Sequence, residues 1–306
     1  MWGRLAGTVM RRPALTALPV LAILLLAASP LLGITFGTPD ERVVLPEDAE
    51  NQAQSLVQEV RAVAPPAGSH PLVGGVDAVL VDSEDSVGSR LPIAVALVAV
   101  TTFLLLFLFT GSVVQPLRAL LLNLISLGAT LGVMTWIFQE GLLSSLLGFT
   151  AQPMDVSMTV LMFCIGFGLS MDYEVFVTSR IKELHDLGED NESAVTNGLG
   201  HTGRIVTAAA CLLAVSFFAF GTAELSFMQL FGLGSGLAIL IDAVAVRGIL
   251  VPAAMCLLGR SAWYAPGFLR KLHGRFGLSE GGPAPEPAAA PELVTVPPYG
   301  KNSTHV

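Results

Sequence analysis

The sequence predicts an all-α polytopic membrane protein, a bundle of six transmembrane helices with one long polar loop. Three observations carry this. Apolar residues make up 53% of the 306 positions and charged residues 13%, with a mean hydropathy of +0.69, a balance foreign to soluble domains. Six apolar runs reach the roughly 20 residues needed to cross a hydrocarbon core about 30 Å thick. Lys and Arg then fall mostly on one set of alternate connections, as the positive-inside asymmetry requires.

Residues 1–13 form a short N-terminal segment with Arg4, Arg11 and Arg12, and the first span follows over 14–34. The arginine pair resembles a twin-arginine signal, but the run exceeds a typical signal core, and Pro30 stands where cleavage after Ser29 needs a permissive residue. An uncleaved first span is expected. Residues 35–90 are the one long polar loop before the tail, rich in Pro and acids. A helix is expected over Ala49 to Val63 and a short alternating strand over Val76 to Val81, a small external α/β element.

Five more spans follow at 91–109, 119–138, 155–179, 205–223 and 227–258. Small-residue pairs one helical turn apart, which let helix backbones approach, occur at Gly128 and Gly132, Gly166 and Ser170, and Gly232 and Gly236. The Leu-rich link around Leu142 to Phe149 is expected at the interface or re-entering the membrane, and 180–204 as a polar connector helix. Residues 259–280 carry Arg270, Lys271 and Arg275 opposite Phe268, Leu272 and Phe276, a basic amphipathic segment suited to anionic headgroups. Residues 281–306 are rich in Pro and Ala and are expected to be disordered.

With six spans, twelve of the sixteen Lys and Arg residues fall on the side of both termini, Arg118 among them, against Arg42, Arg61 and Arg90 on the other. Both termini are therefore expected in the cytoplasm and the long loop outside. The formal net charge of −8 comes from acids clustered in loops and tail, so charge points to topology and not to a nucleic-acid partner. No P-loop pattern is present, and Cys164, Cys211 and Cys256 lack metal-ligand spacing. Gly198-Leu-Gly200-His-Thr-Gly203 matches a dinucleotide fingerprint, yet no strand precedes it and a span follows, which argues against a nucleotide site.

Chemistry concentrates between Phe163 and Arg180, where Asp172 and Glu174 interrupt an apolar run. A carboxylate inside a span costs roughly 2.5–3.5 kcal/mol on insertion scales and marks a functional position by default. Asp172, with Tyr173 beside it, Asp242 and Arg247 are the candidates. The two aspartates lie about 14–17 residues from the outer ends of their spans, at similar depth, and can meet within one bundle. Asp242 and Arg247 are five residues apart, about 140° around an ideal helix, so Arg247 is expected to answer a carboxylate on a neighbouring helix. These residues alone leave a proton relay and a buried structural network both open.

Gly168-Leu-Ser-Met-Asp-Tyr-Glu-Val-Phe, followed by Ser179-Arg180, resembles the MMPL family of the resistance-nodulation-division (RND) superfamily. Pro116-Leu-Arg-Ala-Leu-Leu-Leu-Asn, Thr202-Gly-Arg-Ile-Val-Thr and Ile241-Asp-Ala-Val-Ala-Val-Arg-Gly fit the second half of such transporters in order. The resemblance implies one RND-type six-helix half with a shortened porter loop in a bacterial inner membrane, and a proton-motive-force-driven exporter of lipids or other hydrophobic compounds that needs no cofactor. It assigns Asp172 and Tyr173 to the proton relay and matches Asp242 and Arg247 to the charged positions of the last span. Family members hold two similar halves, whereas one set of motifs is found here. A half-size unit would therefore act as a homo-oligomer or with a complementary half. A non-transporting accessory or scaffold subunit, or a degenerate split fragment, stays open beside it.

Overall fold

The structure is a computed structural model and describes residues 2–37, 47–63, 72–149, 151, 153–223, 225–269 and 273. Helix α1 (Trp2–Arg11) meets α2 (Pro13–Ala28) at Pro13, whose missing N–H costs nothing at a helix start. A 3-10 turn, Ser29–Gly33, ends α2 and leads into the two-residue strand β1 (Phe36–Gly37). Next come α3 (Glu47–Ala62), α4 (Val76–Thr110) and α5 (Val114–Met134), which runs on as a π-turn over Thr135–Gln139. The single turn α6 (Ser144–Leu147), strand β2 (Met154–Asp155), α7 (Val156–Asp186) and α8 (Asn191–Phe220) follow. The last span is α9 (Ser226–Ile241), a π-helical stretch over Asp242–Leu250, α10 (Val251–Leu258) and a 3-10 turn to Trp263.

Six of these helical units are long and apolar enough to cross a membrane, so the all-α six-span fold class holds. Their ends are set by local chemistry. Asp155 accepts the Met158 N–H at the start of α7, and Asp190 accepts those of Glu192 and Ser193 at the start of α8, satisfying donors that a first turn leaves open. Gly111, at φ 68°, closes α4 in the left-handed conformation.

Two expectations are corrected. Residues Val76 to Val81 are not a strand but the first turns of the 35-residue α4. Their alternation is too short to outweigh a helical sequence that continues without a break, and α3 braces it through a bidentate ion pair from Arg61 to Asp82 at 2.6 and 2.9 Å. Pro92 lies within α4 and removes the N–H that would pair with the Gly88 carbonyl. The polar stretch 180–204 is not a separate connector: α7 carries on to Asp186 and α8 starts at Asn191. Charged residues on the outer faces of the two helices extend the spans past the apolar region. In the link before α7, Phe149 stacks on Phe138 with ring centroids 4.7 Å apart, while Leu142, Leu143 and Leu146 are exposed. Residues 270–272 and 274–280 of the basic amphipathic segment, Arg270, Lys271 and Arg275 among them, and all of the expected disordered tail lie outside the described residues.

At the end of the bundle away from α1, β1 and β2 pair in parallel, Phe36 opposite Met154 and Gly37 opposite Asp155. The Gln139 side chain accepts from the Thr35 N–H and donates to the Gly33 carbonyl, each at 2.9 Å. The exit of α2 is thus tied to the end of the α5 unit and the start of α7.

Among the described residues the core lies in four clusters, two of them at the ends of the bundle. Val177, Ile181, Val195, Leu199, Val251 and Met255 form the larger one at the α1 end, where Ala6 and Met10 of α1 join it. Met134, Phe138, Met154, Met162 and Leu230 fill the opposite end. The small residues mark the closest helix approaches. A Cβ on Gly132 would overlap the Ala27 carbonyl oxygen of α2, and one on Gly232 would come 2.5 Å from Phe220 Cβ and 2.6 Å from the Phe217 carbonyl of α8. Gly236 faces the Phe218 ring, and Gly166 packs toward Leu127 and Ala238. Gly128 is roomier, with Ala28 Cβ 3.8 Å from where its own Cβ would stand. Gly132→Ala is therefore expected to destabilise by about 1–3 kcal/mol, since backbone must move, and Gly128→Ala by less than about 0.5 kcal/mol. Thermal unfolding of the two detergent-solubilised variants tests this, and equal midpoints would contradict it.

Candidate functional site: two buried ion pairs on one face of α7

Ser170, Tyr173, Glu174 and Thr178 recur at spacings of three and four residues, so they share one face of α7. Each reaches a charged partner on another helix or on α7 itself.

At the level of Ser170 the partner is the last span. Arg247 forms an ion pair with Asp242, with both side chains buried. Arg247 Nη2 also donates to the Ser170 carbonyl at 2.8 Å, and the Ser170 hydroxyl donates to Asp242 Oδ1 at 2.7 Å. One serine therefore holds both members of the pair. The guanidinium carbon lies 4.8 Å from the centroid of the Tyr173 ring, a cation–π contact. A small cavity of about 10 Å³ is lined by Tyr173, Asp242 and Arg247 together with Gly166, Ser170 and Ala210, enough room for one water molecule.

The expectation that Arg247 answers a carboxylate on a neighbouring helix and not Asp242 is overturned. Residues Asp242–Leu250 form a π-helical stretch, whose wide turns bring residue i+5 back over residue i. The physical cause stands just downstream: Pro252 has no N–H to offer the Gly248 carbonyl, and its ring would press against that carbonyl in a regular helix. Opening the turn relieves the clash and brings Arg247 over Asp242.

One turn along α7, about 6 Å nearer the α1 end, Glu174 forms a second buried ion pair with Arg118 of α5. Thr178 donates its hydroxyl to Glu174 Oε1 at 2.9 Å, and Arg118 Nη2 lies 3.5 Å from that hydroxyl oxygen. Sequence reasoning noticed Glu174 but gave it no role, and counted Arg118 as a topological charge at the head of its span. Arg118 is 7% exposed and Glu174 5%. The available signal was the pairing of an acid inside one apolar run with a base at the start of another.

Asp172 does not join either cluster. Two residues from Ser170, it is turned by about 200° on the helix and is exposed. It lines an open groove of about 510 Å³ with Phe176, Arg180 and Glu183 of α7, His201 and Ile205 of α8, and Phe109 of α4. The expected meeting of Asp172 with Asp242 in one bundle therefore does not occur: Tyr173 sits with the Asp242–Arg247 pair, and Asp172 faces the other way. Ser170, expected as a close-packing residue beside Gly166, acts as a hydrogen-bonding one.

Six membrane-length helices with charge carried in their interior are those of a multi-pass cell-membrane protein. The chain belongs to the MMPL family, within the RND superfamily; the family model matches residues 44–276. It is 46% identical over 238 residues to the Streptomyces coelicolor protein SCO6666, a match that covers 77% of this chain and 33% of that one. Against the trehalose monomycolate exporter MmpL3 of Mycobacterium tuberculosis it is 42% identical over 228 residues, 74% of this chain and 24% of the relative. Against the mycolic acid-containing lipids exporter MmpL11 of Mycolicibacterium smegmatis it is 32% identical over 234 residues, 75% and 24%. The chain thus spans a quarter to a third of the length of these curated relatives.

The geometry separates two costs. Asp242→Asn leaves Arg247 buried without its counter-charge and is expected to destabilise by about 3–5 kcal/mol. Ser170→Ala removes one donor to a buried carboxylate and is expected to cost about 1–3 kcal/mol. Denaturant unfolding in mixed micelles reads both, and a Ser170→Ala cost equal to or above that of Asp242→Asn would contradict the hierarchy.

Proposed function

We propose that this chain is the membrane bundle of a proton-motive-force-driven transporter that exports lipids or other hydrophobic compounds, and that it works paired with a second copy or with a complementary half. No cofactor enters this reading; the proton gradient supplies the energy. Both termini lie in the cytoplasm, an orientation that agrees with Arg4, Arg11 and Arg12 being exposed on α1 and its junction with α2.

The observation that carries the proposal is the division of α7 into two charged faces. Its inner face holds Tyr173 against Arg247 and Asp242, all within this chain. Its outer face presents Ser157, Leu161, Cys164, Asp172 and Phe176 at spacings of three, four and eight residues, and all are exposed. A stripe that includes a carboxylate, a serine and a cysteine is poorly matched to lipid tails, where a charge is costly. It suits a second helix that brings a hydrogen-bonding partner for Asp172. Pairing two such faces would place Asp172 of one unit beside the Asp-Tyr span of the other and complete the relay across the interface. Protonation of Asp172 would then change the charge at that interface, which is the kind of switch that can bias two packings of a bundle. Lipid or hydrophobic cargo follows from the exporters among the relatives.

One observation favours a second reading, an accessory or scaffold subunit. Both buried ion pairs close within this chain, so they can serve the bundle without moving a proton. Asp172 distinguishes the two, because it has no part in those pairs. In proteoliposomes with a trapped pH-sensitive dye, Asp172→Asn is expected to reduce gradient-dependent proton flux to the protein-free level while insertion and thermal stability stay unchanged. Tyr173→Phe, which keeps the ring over Arg247 and deletes the hydroxyl, is expected to lower flux more than stability. Wild-type flux in Asp172→Asn would remove this residue from the coupling site and favour the scaffold.

A further inference from the structure

The Gly198-Leu-Gly200-His-Thr-Gly203 segment lies wholly within α8, with no strand before it and no phosphate-binding turn. Its glycines face helices instead. A Cβ on Gly198 would come 2.7 Å from Ile181 Cγ1 of α7. Gly200 meets Gly3 of α1, whose Cα would lie 3.9 Å from the added atom, and a Cβ on Gly203 would overlap the Cγ of Trp2. On the other side of the contact, Gly3 is so close to α8 that its own Cβ would stand 3.2 Å from the Thr196 carbonyl. The glycines thus form a cradle in which α1 is seated, with Ala6, Val9 and Met10 buried and Arg4 and Thr8 outward.

The indole of Trp2 reaches beyond α8. Its far edge, Cζ3 and Cη2, lies 3.2 and 3.5 Å from where a Cβ of Gly248 would stand. Gly248 directly follows Arg247 and is the residue whose carbonyl Pro252 cannot serve. The ring therefore spans from Gly203 to the wide π-turn that makes the Asp242–Arg247 pair possible.

We propose that Trp2 is a positioning residue for the Asp242–Arg247 ion pair: α1, seated in the glycine cradle of α8, uses the indole to brace the wide turn in which the pair forms. Pro252 forces the helix to open at Gly248, but it does not fix how the opened turn packs. A π-turn contains one more residue than the regular helix that competes with it. The bulky ring occupies the space beside Gly248 and holds the opened turn in one packing. Without the ring, the opened turn repacks into the space the indole leaves and carries Arg247 around the axis away from Asp242. The inference bears on the proposed relay without depending on it, because it concerns the geometry of the pair and not the movement of a proton.

The test is magic-angle-spinning NMR of the full chain in lipid bilayers, labelled with 15N at Arg and 13C at the Asp and Glu carboxyls. Dipolar coupling reports the Arg247–Asp242 pair, assigned by its loss in Asp242→Asn, and the Arg118–Glu174 pair serves as internal control. Trp2→Ala is expected to lose the first coupling and keep the second. Gly203→Ala, whose added methyl would overlap Cγ and crowd Cβ of Trp2 while changing no residue of α1 or the π-turn, is expected to do the same. Trp2→Phe, whose shorter ring lacks the far edge that meets Gly248, is expected to weaken the first coupling and keep the second, and Trp2→Leu stands in for Trp2→Ala should that variant fail to accumulate. Full Arg247–Asp242 coupling in Trp2→Ala or its Leu substitute overturns the proposal. So does loss of both couplings together, which would make Trp2 a general prop of the fold. Proton flux is measured separately on the same preparations. A wild-type chain with intact couplings but no flux counts against the relay and leaves the positioning role standing.

Discussion

A buried guanidinium has to be answered, and in this bundle the answer shapes the helix that carries it. Arg247 is 2% exposed, at a depth where an unpaired cation is costly. A regular helix would point its nearest carboxylate, Asp242, well away. The chain resolves the conflict by widening the last span into a π-turn, with Pro252 supplying the steric reason and Ser170 clasping both charges from α7. The position of Tyr173 over the guanidinium follows from the same arrangement. So does the division of α7: once Ser170 and Tyr173 are committed inward, Asp172 has to face out.

The fold class was legible because the membrane simplifies the problem. Apolar runs of sufficient length leave few alternatives to helices, and six were countable. The misreadings occurred where neighbours and not local pattern decide. Val76 to Val81 alternates like a strand, but it joins a long apolar helix and has α3 to brace it. A spacing of five residues sets Asp242 and Arg247 apart only on an ideal helix, and the sign that this helix is not ideal, Pro252, stands ten residues beyond Asp242. Arg118 at the mouth of a span reads as a topological charge until Glu174 is seen opposite. The motif around Asp172 and Tyr173 was evident in the sequence, yet only the three-dimensional arrangement sends these adjacent residues to different faces.

The glycines illustrate the same difference in scale. Small-residue spacing on one helix announces that something comes close without saying what. Gly132 admits the Ala27 carbonyl, Gly232 admits α8, and Gly203 admits an indole. Gly128, at the same spacing in the same pair as Gly132, admits nothing closer than an ordinary van der Waals contact. A pair on a helix is therefore a statement about a crossing, and only one of its members need lie at the point of nearest approach.

Helix α4 is much longer than a bilayer requires. At about 1.5 Å per residue its 35 residues measure roughly 52 Å, against a hydrocarbon thickness of about 30 Å. From Val76 to Pro92 it makes an arm of about 24 Å, buttressed near its tip by α3 through Arg61 and Asp82. The missing hydrogen bond between Pro92 and Gly88 puts the weakest joint of that arm at its foot. By simple leverage over about 24 Å, a bend of about ten degrees there carries the tip some ~4 Å sideways. The bundle thus holds α3 at the end of an oar, where a slight rotation at the rowlock becomes a wide sweep of the blade.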